Sequence, residues 1–176
     1  MKEYRLNVTD LKAISGEFSV GDKVYLSGTV YTARDAAHKR IFELIQKGED
    51  MPFEIANSVI YYAGPTPTPE GLAIGSCGPT TSARLDPYAP TLYDMGLVAT
   101  VGKGERNREV IDAIMRNKSL YLCAIGGAGA LASLNITECE VIAFDDLGCE
   151  SIKRLKFENF PLIVAIDTKG NNIFDR

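Results

Sequence analysis

The sequence is poor in the residues from which metal and nucleophile sites are most often assembled. Its four cysteines are Cys77, Cys123, Cys139 and Cys149, and no two have the C-x-x-C spacing that sets two thiolates on one metal ion. A metal site within the chain is therefore not expected. An even cysteine count alone does not make disulfides, and Cys123 in "LYLCAIG" reads as a small buried hydrophobe. Long apolar runs are also missing. "PLIVAI" is far shorter than the roughly 20 residues that span a bilayer, and "MKEYRLNVTD" lacks the apolar stretch of a secretory signal. No membrane partner and a cytoplasmic location are the expectations. Nor is there a basic block: with a net charge of -4 and cations scattered among acids, nucleic acid is not an expected partner.

What is present is enough for one sizeable core: 176 residues, 45% of them hydrophobic and 24% charged. One domain over residues 1–176 is expected. "YRLNVT" reads as an edge strand and "GDKVYLSGTVYTA" as a stronger one, with Val24, Leu26 and Gly28 on one face. "RDAAHKRIFELIQKG" has helical spacing at Ile41, Leu44 and Ile45, with Asp35 as its cap and Gly48 as its stop. Strands are predicted at "NSVIYYAGP", "LVATVG", "LYLCAIG" and "CEVIAFDD", and helices at "PYAPTLYDMG", "REVIDAIMRN" and, in shorter form, "GAGALASLN". A short helical piece near "CESIKRL" and a final hairpin "PLIVAIDTKGNNIF" complete the chain. Because strands and helices interleave throughout, the fold class is α/β.

One loop between these elements has no hydrophobic period. In "CGPTTSARLD" Gly78 permits a sharp turn, Pro79 fixes the next dihedral, and Thr80 and Thr81 present hydroxyls beside unpaired amides, a cradle for an anion. Arg84 follows, and its planar fork can grip a carboxylate through two parallel hydrogen bonds. The plainer alternative is that Thr80 or Thr81 caps the next helix and Arg84 pairs with Asp86. Two further cations hold matching places: Arg34 where a strand gives way to a helix, and Lys103 at the end of "LVATVG". Ligands of α/β sheets collect at such strand ends, and two arginines and a lysine suit a small dianion. His38 lies a full turn inside its helix. It could relay protons, but its place away from the loop favours a packed surface residue.

"GGAGALA" competes with this reading. Gly127, Gly129 and Ala132 match the dinucleotide fingerprint after a strand, and Asp145 ends the next strand. Thr137 and Glu138 follow so soon that the helix has room for only about two turns, short of the usual crossover. The stretch reads better as a tight turn whose Gly126 and Gly127, with His38, are secondary candidates for the same cleft.

The segments "ARDAAHKR", "YYAGPTPTPEG", "GSCGPTTSARLD", "VGKGERN", "AIGGAGA" and "DTKGNNIF" occur in this order. With them the chain, from about Leu6 to Asp175, resembles the beta subunit or C-terminal domain of class I iron-sulfur fumarate hydratases and tartrate dehydratases. "GPTTSAR" together with "YYAGPTPTPEG" carries most of that specificity. The resemblance implies a swivelling β/β/α domain that closes on a larger alpha subunit. It also implies a four-iron four-sulfur cluster held by the alpha subunit's cysteines, with none bound by this chain. The implied reaction is the hydration of fumarate to malate or the dehydration of tartrate. Arg34, Arg84 and Lys103 match the family's dicarboxylate-binding cations, Thr81 stands beside them, and Thr80 matches a threonine assigned to proton transfer. The implied assembly is an alpha-beta hetero-oligomer, with a homodimer as the alternative for the isolated chain. "SAR" replaces a loop ending Ala-Gly-Arg, and Cys77 stands where an aromatic is common, which argues against Cys77 as a cluster ligand. The other class of function is a non-catalytic module that binds a carboxylate or a dinucleotide through "GGAGALA". Purified alone, the chain should be colourless and free of stoichiometric iron, because its cysteine spacing offers a cluster no site. Visible absorbance and iron analysis check this, and a stoichiometric cluster on the isolated chain would overturn it.

Overall fold

The computed structural model describes residues 1–124 and 129–175. The strands are β1 (Glu3–Asn7), β2 (Lys23–Thr32), β3 (Val59–Tyr61), β4 (Ala99–Gly102), β5 (Leu120–Ala124), β6 (Ile136–Ala143) and β7 (Ile152–Ile166). Between them lie α1 (Leu11–Ile14), α2 (Asp35–Lys47), α3 (Ala89–Asp94), α4 (Arg108–Asn117) and α5 (Gly129–Ser133), so the class is α/β. β1 to β5 pair in parallel in chain order. β7 is long enough to run antiparallel to β2 through Arg154–Ile163 and to β5 through Leu162–Ile166. Pairing thus returns from β5 through β7 to β2 and closes a ring, β2-β3-β4-β5-β7. β1 and β6 lie outside the ring, against β2 and β7.

Alternation along the strands divides the apolar residues into two cores. Val24, Leu26, Val59, Tyr61, Leu122, Phe157 and Phe160 share one cluster. Their chain neighbours Ile60, Tyr62 and Tyr121 belong to the other, with Ile41 of α2, Leu92 of α3 and Ile114 of α4. β3 is buried on both sides, which is why "VIYY" reads as a continuous apolar run.

Four local expectations are corrected. Asp35 does not cap α2: Arg34 holds the N-cap position in extended conformation, and the Ala36 amide is taken instead by Glu150 Oε1 at 3.2 Å, from a turn remote in sequence. The stop at Gly48 forms as read, in the left-handed region at φ 66°. Near "CESIKRL" the helical part is a 3-10 turn, Asp145–Glu150, and from Ile152 the chain is already in β7, where its side chains alternate between buried and exposed. The closing hairpin turns at Asp167–Asn171, but its return arm makes a single bridge, Ile166 to Asn172. Cys123 is half-buried and not a core residue.

The core that faces α2, α3 and α4 contains one buried ion pair among the described residues. Arg106 Nε donates to Asp86 Oδ1 at 2.6 Å, and their side chains are 0% and 7% exposed. Asp86 Oδ2 also accepts the Asn107 amide at 2.9 Å, while Arg106 donates to Thr100 Oγ1 and Tyr62 Oη. The Tyr93 hydroxyl gives its one proton to the Leu120 carbonyl, which can only accept, so the Thr100 hydroxyl donates to Tyr93. The guanidinium thus donates to three oxygens and the carboxylate accepts twice. Replacing one member of such a pair strands a buried charge, so Arg106→Met should cost about 3–5 kcal/mol of stability. Urea unfolding measures it, and a loss below about 1 kcal/mol would show that the pair is not an anchor.

Candidate active site

The parallel strands end on one edge, and the predicted residues lie in the loops that leave it. Arg34 follows β2, and the loop ending in Thr80–Thr81 returns to the end of β3, where the Thr80 amide donates to the Tyr62 carbonyl at 2.7 Å. Lys103 follows β4, and Thr81 forms a parallel bridge with it, the Ser82 amide donating to the Lys103 carbonyl at 2.9 Å. Gly126 and Gly127, which follow β5, lie outside the described residues. Thr80 is half-buried and Thr81, Arg84 and Lys103 are exposed.

Three devices fix the loop. The Lys103 amide donates to Ser82 Oγ at 3.1 Å, and Tyr121 Oη lies 2.8 Å from both Ser82 Oγ and the Gly104 carbonyl. Since the Tyr121 proton must go to the carbonyl, the Ser82 hydroxyl donates to Tyr121. A hydroxyl relay therefore joins the two loops through the sheet. It also requires glycine at position 102, where a Cβ would collide with the Ser82 hydroxyl. At the front of the loop, Tyr61 donates to the Cys77 carbonyl at 2.6 Å and the Cys77 amide donates to the Gly129 carbonyl at 3.1 Å. At its rear, Asp86 is held by Arg106.

Neither plain alternative for this loop holds. Thr81 occupies the N-cap position of the 3-10 turn Ser82–Leu85 but makes no side-chain cap, and Asp86 pairs with Arg106, not with Arg84. Among the described arginines, Arg84 is the one with neither a carboxylate nor an aromatic ring against it. Arg34 is half-buried, 3.9 Å from its neighbour Asp35, and its Nε has no hydrogen-bond partner among the described residues. Its side chain crosses Gly64: a Cβ there would lie 2.9 Å from Arg34 Cδ and 2.9 Å from the Cys149 carbonyl. That carbonyl belongs to a turn tied down by Lys153, whose ammonium donates to the carbonyls of Gly148, Cys149 and Ser151 and to Ser151 Oγ. Burial pulls the Lys153 ammonium below the usual lysine range.

His38 is not a surface residue. It is fully buried, and its ring lies 5.6 Å from that of Tyr62 and 5.5 Å from that of Tyr88. Nδ1 lies 2.8 Å from the Arg34 carbonyl, which can only accept, so Nδ1 carries the proton and Nε2 stands without a partner among the described residues. Sequence reading also missed Arg106, Ser82, Tyr121 and Lys153. "KGERN" read as a polar turn, and nothing local marked its arginine as a core residue.

The cysteines do not suit a cluster. Cys77 is fully buried, and burial, reinforced by Cys139, pushes its thiol up to about 12. No group of three His, Cys, Asp or Glu side chains with metal-binding proximity occurs among the described residues. The dinucleotide fingerprint lacks its setting, since α5 spans five residues and β6 pairs antiparallel with β7 and not beside β5. No helix among the described residues is long and apolar enough to cross a membrane.

A family model described as Fumarase C-terminus matches residues 1–176. The chain is 41% identical over 162 residues to Fumarate hydratase 2 of Leishmania major, covering 91% of this chain and 28% of that protein. It is 38% identical over 169 residues to the anaerobic class I fumarate hydratase of Escherichia coli, 95% of this chain and 31% of the relative. With the L(+)-tartrate dehydratase subunit beta of Escherichia coli it shares 33% identity over 162 residues, 89% of this chain and 79% of that subunit. The chain thus spans less than a third of the fumarate hydratases and most of the tartrate dehydratase subunit.

The buried imidazole has a consequence for stability. Burial lowers the His38 pKa from 6.5 to about 4, so between those values the unfolded chain binds the proton that the folded chain refuses. Stability should fall as pH drops below 6.5, by roughly 3 kcal/mol in all once pH passes 4. Urea midpoints at pH 8, 6 and 5 should converge between wild type and His38→Gln as pH falls, and a constant gap would refute the assignment.

Proposed function

The chain belongs to the Fumarase C-terminus family, and from that premise we propose that it is the beta subunit of a two-subunit hydro-lyase acting on a small dicarboxylate. The observation that carries the reading is the loop at the strand edge. It sets Thr80, Thr81 and an uncompensated Arg84 next to Lys103, and its two ends are tied to the sheet by buried hydrogen bonds and an ion pair. The fold reads as the swivelling β/β/α unit, its ring covered by α2, α3 and α4, and the whole of 1–176 acts as one domain.

In this proposal Arg84 binds one substrate carboxylate through its two-pronged face, and Lys103 adds a compact positive charge. Arg34, held across Gly64, supplies the third cation, so that the dianion is gripped at more than one point. Thr80 holds or moves a proton beside the carboxylate. A free threonine hydroxyl is a weak base, and here its environment is set by the three cations and by loop amides. The cysteines of this chain do not fit an iron-sulfur cluster, so the cluster, which would activate the substrate's hydroxyl and one carboxylate, is assigned to the alpha subunit. Fumarate and tartrate are the substrates the relatives' names carry, and the reading covers both.

Co-expression with the cluster-bearing subunit, followed by anaerobic assay on fumarate, malate and tartrate, tests the reading directly. Hydratase or dehydratase activity is expected from the pair and none from either chain alone. Within an active pair, Arg84→Lys keeps the charge and loses the fork, so kcat/KM should fall about tenfold to a hundredfold, or ~1.5–3 kcal/mol, with an unchanged melt. Full activity in both Arg84→Lys and Arg84→Met would remove Arg84 from the site.

A further inference from the structure

The hydro-lyase reading leaves open where the alpha subunit attaches. Leu131 and Leu134 are 65% and 74% exposed, the most exposed large apolar side chains after Met1 among the described residues. They are one turn apart, with the Leu134 amide donating to the Leu131 carbonyl at 3.2 Å, and so rise on the same side of the segment. Beside them is a groove of about 260 Å³, walled by Pro79, Leu131, Leu134 and Pro161 and floored by the buried Phe160. No charged residue lines it among the described residues, in a chain that is 24% charged. Depletion of charge marks the centre of protein interfaces, and an exposed apolar patch of this kind is seldom left uncovered.

Two further observations name the occupant. The groove is continuous with the substrate loop: Pro79 directly precedes Thr80, the Gly129 carbonyl holds the Cys77 amide, and a Cβ on Gly78 would lie 3.3 Å from Gly129 Cα. Whatever approaches a substrate held by Thr80 and Arg84 passes beside this wall. Second, the matched fumarate hydratases devote more than two thirds of their length to chain outside this region, while the tartrate dehydratase relative is a separate subunit of nearly this size. The covering mass is thus in the same polypeptide in one group of relatives and in another chain in the other. We infer that the groove formed by Leu131, Leu134, Pro79 and Phe160 is the docking face for the cluster-bearing alpha subunit. The inference rests on the hydro-lyase reading. It gives α5 the task of seating the partner against the loop that holds the substrate.

The test co-expresses this chain with the cluster-bearing hydro-lyase subunit of the same organism and measures assembly by light scattering and titration under anaerobic conditions. Leu131→Asp/Leu134→Asp should melt like wild type, both positions being exposed, and should bind the alpha subunit on the order of a hundredfold more weakly. Val141→Asp, on the exposed strand β6 opposite Lys153, should assemble as wild type does. Wild-type affinity in the double leucine variant would overturn the docking face while leaving the hydro-lyase reading intact. A wild-type chain that neither assembles nor gains activity would overturn both. If the isolated wild type is a dimer that the double variant turns into a monomer, the groove is a contact between copies and the inference fails. Should the aspartates lower the melt, Leu131→Gln/Leu134→Gln is judged by the same criteria.

Discussion

The buried contact between Arg106 and Asp86 is the constraint from which the candidate site hangs. Asp86 closes the candidate loop, and Arg106 lies in the turn that begins with Lys103, so one ion pair fixes two loops from adjacent strand ends to each other. An exposed pair would do this weakly, since solvent-facing ion pairs contribute little. Burial changes the balance: the charges cannot be separated without leaving one stranded, and Thr100, Tyr62 and the Asn107 amide satisfy what the pair leaves over. The pair is surrounded by aromatic rings, with the guanidinium 4.9 Å from the Tyr121 centroid and 5.2 Å from that of Tyr62. Arg106 joins the loops from within the core, while Arg84 and Lys103 remain exposed.

Ring closure by β7 explains why the loops meet at one edge. A parallel run from β1 to β5 sends all its C-terminal ends the same way, and the long antiparallel β7 joins the last of them back to β2. The turn before β7 then lies against the start of α2, where Glu150 takes the Ala36 amide and the Cys149 carbonyl touches the ground that Arg34 crosses. Lys153, drawn into three carbonyls, holds that turn. The position of Arg34 therefore depends on residues more than a hundred places away.

That separation marks the limit of what the sequence could reveal. Elements with a local period, such as α2, α4 and β2, were legible because burial imposes the repeat on neighbouring residues. The candidate residues Arg34, Thr80, Thr81, Arg84 and Lys103 were legible as loop residues at strand ends, and the resemblance gave them roles. The contacts that hold them were not. Arg106 looks like any charge in a polar turn until Asp86 is placed opposite it. The cap of α2 could not be read from Asp35 because a carboxylate from a distant turn reaches the Ala36 amide. His38 misled for the same reason: its helix position says nothing of Tyr62 and Tyr88, which close over it from other elements. "CESIKRL" misled because it joins the end of a 3-10 turn to the start of a strand, and the partners that make it a strand, β2 and β6, are remote in sequence.

The distribution of ion pairs separates what is built for stability from what is left for a ligand. Arg40, Arg116 and Arg154 are neutralised by Asp146, Asp94 and Glu140, and Arg106 by Asp86. Acid is abundant enough in a chain of net charge -4 to have matched the remaining cations also. At Arg84 it does not: Asp86, the carboxylate nearest in sequence, is turned inward and committed to Arg106. Withholding the counter-ion leaves Arg84 with its full capacity for a bidentate partner, and makes the loop depend on the sheet beneath it and not on charge pairing at its surface. In the proposed reading a loop assembled this way meets a dianion already positioned, so binding need not first break an ion pair at Arg84.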